Sequence, residues 1–218
     1  MESKKFTYEN DEIKVSWDLK RCIHAKECVH GLPEVFDITK KPWINPDATK
    51  DIEDLKAVIE KCPTGALHYE LLKADDVEAI PSVNKLVITE DGPIYLSGNI
   101  VLTNSDDEEI MRDTRMALCR CGASSNKPFC DNSHIEAGFK ANSLYNPERL
   151  EMEPATELDG ELTVKLVANG AFLVNGNYEV LGSENSTETS KKMSYCRCGA
   201  SENKPFCDGS HRKIDFKG

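Results

Sequence analysis

The chain has no apolar run approaching the length that spans a bilayer, so a transmembrane helix is not expected. Basic residues are in deficit, 27 Lys and Arg against 38 Asp and Glu, and the net charge of -11 argues against nucleic acid and anionic membrane surfaces as partners. Such acidity suits a small electron carrier that meets basic partners, and it serves equally as a solubility device. The opening Met1 to Asn10 contains acids and no arginine, unlike a mitochondrial transit peptide, and no signal peptide is evident. The expected address is a prokaryotic cytoplasm. No nucleophile, nucleotide-binding loop or substrate pocket is legible, so no catalytic residue is expected.

Cysteine, in contrast, is plentiful and grouped. Nine residues in three well separated triplets are an odd number, and disulfide pairing would leave one over. A reducing compartment with metal-bound thiolates is the better fit. The densest group is Cys196-Arg-Cys-Gly-Ala-Ser-Glu-Asn-Lys-Pro-Phe-Cys-Asp-Gly-Ser-His211. A second copy, from Cys119 to His134, lies 77 residues upstream and differs at two of sixteen positions. Repetition at that density marks an internal duplication.

Both copies read Cys-x-Cys-x8-Cys-x3-His. Cysteines one residue apart share a side of an extended strand. Gly122 and Lys127-Pro128, or Gly199 and Lys204-Pro205, favour a reversal that returns the third thiol. Asp131 and Asp208 look like helix N-caps, which puts the histidine in the first helical turn, facing its cysteine. Three thiols and an imidazole are an ordinary tetrahedral zinc set, although zinc pairs are usually two to four residues apart. They also suit a diiron cluster with two ligands per iron and the histidine on the outer iron. Spacing alone leaves zinc and iron-sulfur level.

The motif resembles that of the CDGSH iron-sulfur proteins, the NEET family, whose four motif residues bind one labile, redox-active 2Fe-2S cluster. The likeness is carried by Cys119, Cys121, Cys130 and His134, and by Cys196, Cys198, Cys207 and His211. The first copy departs by having Asn132 where Gly209 stands. That exchange is mild, because asparagine tolerates the left-handed conformation best among non-glycine residues, and both positions are expected at positive φ.

Towards the N-terminus, residues 6 to 18 alternate around Ile13, Val15 and Trp17 as a short strand. From Thr49 to Lys61, Ile52, Leu55, Val58 and Ile59 recur at helical spacing until Cys62-Pro63 stops the helix, and Leu67 to Leu71 reads as a closing strand. Cys22, Cys28 and a distant Cys62-Pro63 form the skeleton of a bacterial-type ferredoxin, with Ala25 where a middle cysteine usually stands. Residues 17 to 69 resemble the divergent 4Fe-4S mono-cluster domain family through Cys22-Ile-His24, Leu32-Pro33, Val35-Phe36-Asp37, Pro42-Trp43 and Cys62-Pro63. They are also similar to three-cysteine ferredoxins with a 3Fe-4S cluster. His24 is a candidate fourth ligand; its alternative is a histidine that faces solvent or bonds nearby. His30 and His68 read as surface or packing residues, and Trp17 and Trp43 as core or cluster-shielding aromatics.

Four segments follow: a ferredoxin-like domain over 1-72, a charged linker over 73-84, a first repeat over 85-150 and a second over 151-218. Duplication extends beyond the cysteines, since Lys85 to Leu102 lines up with Leu162 to Leu181. Asp91-Gly92 and Asn169-Gly170 are hairpin signals, so each repeat reads as a small β-meander feeding a ligand loop. The polar stretches 103-115 and 182-193 read as mobile surface loops. Phe139-Lys140 and Phe216-Lys217 close the repeats, as the resemblance implies.

Arg120 and Arg197 sit between paired thiols, either offsetting cluster charge or facing solvent. Ser124, Ser133, Ser201 and Ser210 either donate to sulfur or cap local turns. The expected architecture is an α+β N-terminal ferredoxin-like domain followed by a mainly β tandem CDGSH pseudo-dimer. Its expected cofactors are two 2Fe-2S clusters and one 3Fe-4S or 4Fe-4S cluster. The resemblance implies electron or cluster transfer with redox protein partners such as a reductase, an oxygenase or a cluster acceptor. The rivals are a zinc-binding interaction module and the electron-carrying subunit of a separate oxidoreductase. Each repeat is too small to bury a core alone, so the two are expected to pair within a monomer.

Overall fold

Residues 6 to 18 hold two strands rather than one, because Asn10 turns the chain: its side-chain oxygen accepts from the Glu12 and Ile13 N–H groups, each at 3.0 Å. The computed structural model describes residues 4–73, 76–150, 158–189 and 191–218. Residues 74 and 75 of the expected linker, the opening of the second repeat at 151–157, residue 190 and the first three residues lie outside that description. Two units are distinguished, 1–79 and 80–218.

In the first unit, β1 (Lys5–Glu9), β2 (Ile13–Asp18), β3 (Leu67–Leu71) and β4 (Asp76–Val77) form an antiparallel sheet in that order. Between β2 and β3 come α1 (Glu27–Gly31) and α2 (Ile52–Glu60). Asp51 caps α2, its carboxylate accepting from the Glu53 and Asp54 N–H groups. Leu55, Val58 and Ile59 of α2 are buried with Ile13, Val15, Phe36, Ile44, Leu67 and Tyr69. Each fully buried Leu or Ile contributes about 2 kcal/mol of hydrophobic stabilisation. The stretch expected as linker is partly structured, since β4 extends this sheet.

The second unit runs β5 (Lys85–Ile88), β6 (Ile94–Thr103), β7 (Glu109–Leu118), α3 (Ser133–Glu136), β8 (Leu162–Leu166), β9 (Phe172–Asn175), β10 (Tyr178–Leu181), β11 (Ser186–Thr189) and β12 (Met193–Tyr195). The two repeats are not separate meanders. β5 pairs in parallel with β10, and the second half of β6 pairs in parallel with β8, so each repeat lends strands to the other. β6 changes partners at Gly98, φ +136°, where its register with β7 shifts between Ser97 and Ile100. In the second repeat the same change falls at Gly176, φ +133°, which separates β9 from β10. The halves then match one to one once β7 is included: β11-β10-β5, the first half of β6 and the second half of β7, against the first half of β7, the second half of β6 and β8-β9-β12. One apolar cluster draws on both repeats, including Leu86, Leu96 and Leu118 with Val164, Phe172, Tyr178 and Tyr195.

The stretches expected as loops, 103–115 and 182–193, are partly strand: β7 begins at Glu109 and β11 spans Ser186–Thr189. Charged residues of the first stretch pair across the structure from both strand and turn: Arg112 of β7 with Glu161 at 2.9 Å, and Asp107 of the β6–β7 turn with Lys165 at 2.7 Å. Composition marked their exposure and concealed their pairing. Asn84, expected to end the linker, is fully buried.

Candidate metal centres

Each ligand loop grows from the end of a hairpin. In the first repeat, Cys119 N–H donates to Pro128 O at 2.8 Å and Cys130 N–H to Ala117 O at 2.9 Å, which returns the third thiol beside the first. The second repeat has the same pair, Cys196 to Pro205 and Cys207 to Ser194, both at 2.8 Å. Inside the loop, Ser124 Oγ donates to Phe129 O at 2.7 Å and accepts from Asn126 N–H at 3.0 Å. Ser201 does the same with Phe206 and Asn203. These buried serines therefore hold turns.

Asp131 and Asp208 are not the N-cap residues. Those positions belong to Asn132 and Gly209, at φ 70° and 88°, as the left-handed tolerance of these residue types requires. Each aspartate sits one residue earlier and staples the loop closed. Asp131 accepts from Ser133 N–H at 3.0 Å and Ser125 N–H at 2.8 Å, and Asp208 from the Ser210 and Glu202 N–H groups at 2.9 Å. Burial alone would raise the Asp131 carboxyl, yet the bonds from Ser133 and Ser125 hold it well below the usual range. The Ser210 and Glu202 amides do the same for Asp208.

The donors converge as two pairs per repeat. Cys119 and Cys121 Sγ are 3.6 Å apart, while Cys130 Sγ lies 3.5 Å from His134 Nδ1. In the second repeat, Cys196 and Cys198 are 3.9 Å apart, and Cys207 lies 3.4 Å from His211 Nδ1. Among the described residues, no three Cys, His, Asp or Glu side chains gather as a single ion requires. Burial pushes the Cys130 thiol up to about 11 and raises Cys198 and Cys207, so bare thiolates are disfavoured and a cationic centre would relieve them. Within the first pair, the hydrogen bond between the thiols together with burial raises Cys119.

Arg120 and Arg197 do not face solvent; they are 1% and 3% exposed. Arg120 donates to four backbone carbonyls: Gly92 at 2.9 Å, Asn142 and Ala141 at 3.2 Å, and Thr89 at 2.5 Å. It thereby ties the hairpin turn to the segment after the ligand loop. Its guanidinium lies 5.4 Å from the Phe139 ring, and that of Arg197 lies 5.4 Å from Phe216, so the closing aromatics cover the arginines. The carbonyls that receive Arg120 carry no sequence signal, since backbone acceptors are common to every residue.

In the first unit, Cys22, Cys28 and Cys62 line one cavity of about 530 Å³, together with Trp17, Trp43 and Pro63. Burial pushes the Cys28 thiol up to about 11, reinforced by the Cys62 and Cys22 thiolates nearby. His24 also lines the cavity, with Nδ1 3.9 Å from Cys22 Sγ, in a left-handed backbone conformation at φ 56°. Cys62 Sγ lies 3.6 Å from Thr64 Oγ1, a contact that the spacing does not announce. Trp17 and Trp43 meet edge to face at 4.9 Å and wall the cavity. His30 is exposed, and His68 pairs with Glu78 at 2.8 Å, so neither joins the thiols.

The family profile described as divergent 4Fe-4S mono-cluster matches residues 8–71. The profile described as iron-binding zinc finger, CDGSH type, matches twice, at 91–135 and 169–212. The uncharacterised protein YjdI of Escherichia coli K12, and its counterpart in Escherichia coli O157:H7, are each 39% identical over 62 residues, 28% of this chain and 80% of theirs. No solved structure matches the chain.

Proposed function

Because the chain belongs to the CDGSH iron-sulfur family, as two tandem repeats joined to an N-terminal divergent 4Fe-4S mono-cluster domain, we propose that it is a three-cluster carrier of electrons or of clusters between redox proteins. Two 2Fe-2S clusters would be held by Cys119, Cys121, Cys130 and His134, and by Cys196, Cys198, Cys207 and His211. One 3Fe-4S or 4Fe-4S cluster would be held by Cys22, Cys28 and Cys62, with His24 at hand.

The observation that carries this reading is the two-plus-two grouping of donors in each repeat. A tetrahedral zinc with sulfur at about 2.3 Å would draw all its donors to about 3.8 Å from one another. A diiron core takes two ligands per iron, which accords with a Cys/Cys pair and a Cys/His pair. Bound there, a cluster supplies one-electron storage. The protein's share is to orient the donors through the stapled loops and to exclude water behind Trp17 and Trp43. Among the described residues no helix is long and apolar enough to cross a membrane, and a cytoplasmic monomer working with a reductase, oxygenase or cluster acceptor completes the proposal.

Iron and acid-labile sulfide analysis of anaerobically purified protein, with electron paramagnetic resonance before and after reduction, tests it. The expected content is about seven or eight irons. A count near four would remove the N-terminal cluster from the reading. Colourless protein loaded with zinc and free of sulfide would return the repeats to the interaction-module alternative.

A further inference from the structure

The cavity that gathers Cys22, Cys28 and Cys62 has a mouth whose charge runs against that of the chain. The net charge is -11. Yet the charged side chains lining this cavity are Lys26, Lys40 and Lys41 against Glu27 alone, and all four are exposed. Lys40 pairs with Asp37 at 3.0 Å, whereas Lys26 and Lys41 have no ion pair among the described residues. A further cation stands behind the wall: Lys4 Nζ lies 5.9 Å from the Phe6 ring, which stacks on Trp17 at 5.6 Å.

The same mouth carries Ile38, 76% exposed and the most exposed large apolar side chain among the described residues. Its loop is firmly built. Asp37 N–H donates to Trp43 O at 2.8 Å, and Lys40 N–H donates to Asp37 O at 3.1 Å. Asp37 Oδ1 accepts from the Thr39 N–H at 3.0 Å and from the Thr39 hydroxyl at 2.6 Å, while Phe36 and Ile44 bridge the two ends. These bonds keep Ile38 in water, where it packs no core. One exposed apolar side chain is ordinary by itself, but one ringed by unpaired cations at the opening of a thiol-lined cavity has the apolar centre and charged rim of a docking face. We propose that this mouth docks an acidic electron-transfer protein, whose carboxylates meet Lys26 and Lys41 while an apolar side chain covers Ile38.

The acidity of the whole chain does not forbid such a partner. Exposed charges more than about 10 Å apart are largely screened at 0.1 M salt, so the cations at the mouth govern the final approach. Net repulsion then works against the other faces, and the mouth gains selectivity by contrast. A basic partner finds carboxylates over much of the surface and meets like charge here. The inference rests on the reading that Cys22, Cys28 and Cys62 hold a cluster, which is what gives a redox partner reason to approach this cavity.

The test is surface plasmon resonance on the full-length holoprotein, with immobilised flavodoxin as the acidic probe and cytochrome c as the basic one, at about 50 mM ionic strength to lengthen the reach of charge. Lys41→Glu should weaken flavodoxin binding about fivefold, and Ile38→Ser should weaken it as well. Lys50→Glu makes the same charge change on an exposed lysine that does not line the cavity, and it should alter binding less than about twofold. Cytochrome c should bind Lys41→Glu at least as tightly as the parent. No measurable flavodoxin binding by the parent, or equal losses from Lys41→Glu and Lys50→Glu, overturns the proposal. Should Lys41→Glu not fold, carbodiimide cross-linking of the unsubstituted holoprotein to flavodoxin decides. The reagent joins a lysine amine to a carboxylate as an amide and takes up the released water as a urea. Amides at Lys26 or Lys41 are expected, and amides at other lysines alone overturn the proposal. A dimer of this chain that Lys41→Glu disperses in sedimentation would give the face to a second copy and overturn it likewise. Absence of an N-terminal paramagnetic signal from the parent, with flavodoxin bound or not, would instead overturn the cluster reading beneath it.

Discussion

Replacing Asn84 by alanine should unlock both repeats together. Asn84 is fully buried, and its side chain makes three hydrogen bonds to three separate segments. Nδ2 donates to Gly160 O at 2.6 Å and to Asn177 O at 3.0 Å, and Oδ1 accepts from Asn99 N–H at 2.9 Å. It therefore bridges the point where β6 changes partners and the start of the second repeat. Each such bond contributes about 1 kcal/mol net, and a buried group left orphaned costs about 1–3 kcal/mol. Asn84→Ala should thus cost about 3 kcal/mol, a large part of the roughly 5–15 kcal/mol that stabilises a typical domain. For a unit of this size the melting temperature should fall by roughly 10 °C. Urea unfolding followed by circular dichroism and visible absorbance provides the assay, in Cys62→Ser/Cys130→Ser and Cys62→Ser/Cys207→Ser backgrounds that report one repeat each. Because the strands cross between repeats, both backgrounds should lose absorbance at the same urea concentration. A cost below about 1 kcal/mol, or separate midpoints for the two repeats, would refute the bridging role.

Cys62→Ser should remove the N-terminal paramagnetic signal and leave the repeat clusters intact, as a spectrum of the reduced variant would show. Gly209→Ala should destabilise by about 1 kcal/mol through its left-handed backbone alone, because an added methyl meets nothing within 4 Å; Gly209→Asn, matching Asn132, should cost less in the same thermal melt. The bonds from Lys140 and the Ala141 amide hold the Asp91 carboxyl below its ordinary value. A depressed folded value gives stability that is full above the unfolded pKa of about 3.9 and lost as pH falls through the folded one. Asp91→Asn should therefore flatten the acid-side decline in urea stability below about pH 4. His134→Cys with His211→Cys should lower the repeat potentials, since a neutral imidazole is exchanged for an anionic thiolate; unchanged voltammetry would remove the histidines from the ligand set.

Local chemistry was legible in the sequence wherever neighbours a few residues apart decide the outcome. Cysteine and histidine spacing marked the side chains that lie in Cys/Cys and Cys/His pairs, Asn132 and Gly209 announced their left-handed turns, and the apolar spacing from Ile52 to Ile59 marked α2. Such features follow from backbone sterics and side-chain reach over a single turn or strand. Tertiary structure alone decided which strands pair. Alternation tells which face of a strand is buried and is silent on its partner, so β5 against β10 and β6 against β8 could not be read from either repeat. The same holds for acidic stretches that became strands, for Asn84 in the core, and for Arg120 and Arg197 buried beneath their closing phenylalanines. Each of those outcomes depends on groups tens of residues away, whose positions are set by the shared core of the two repeats.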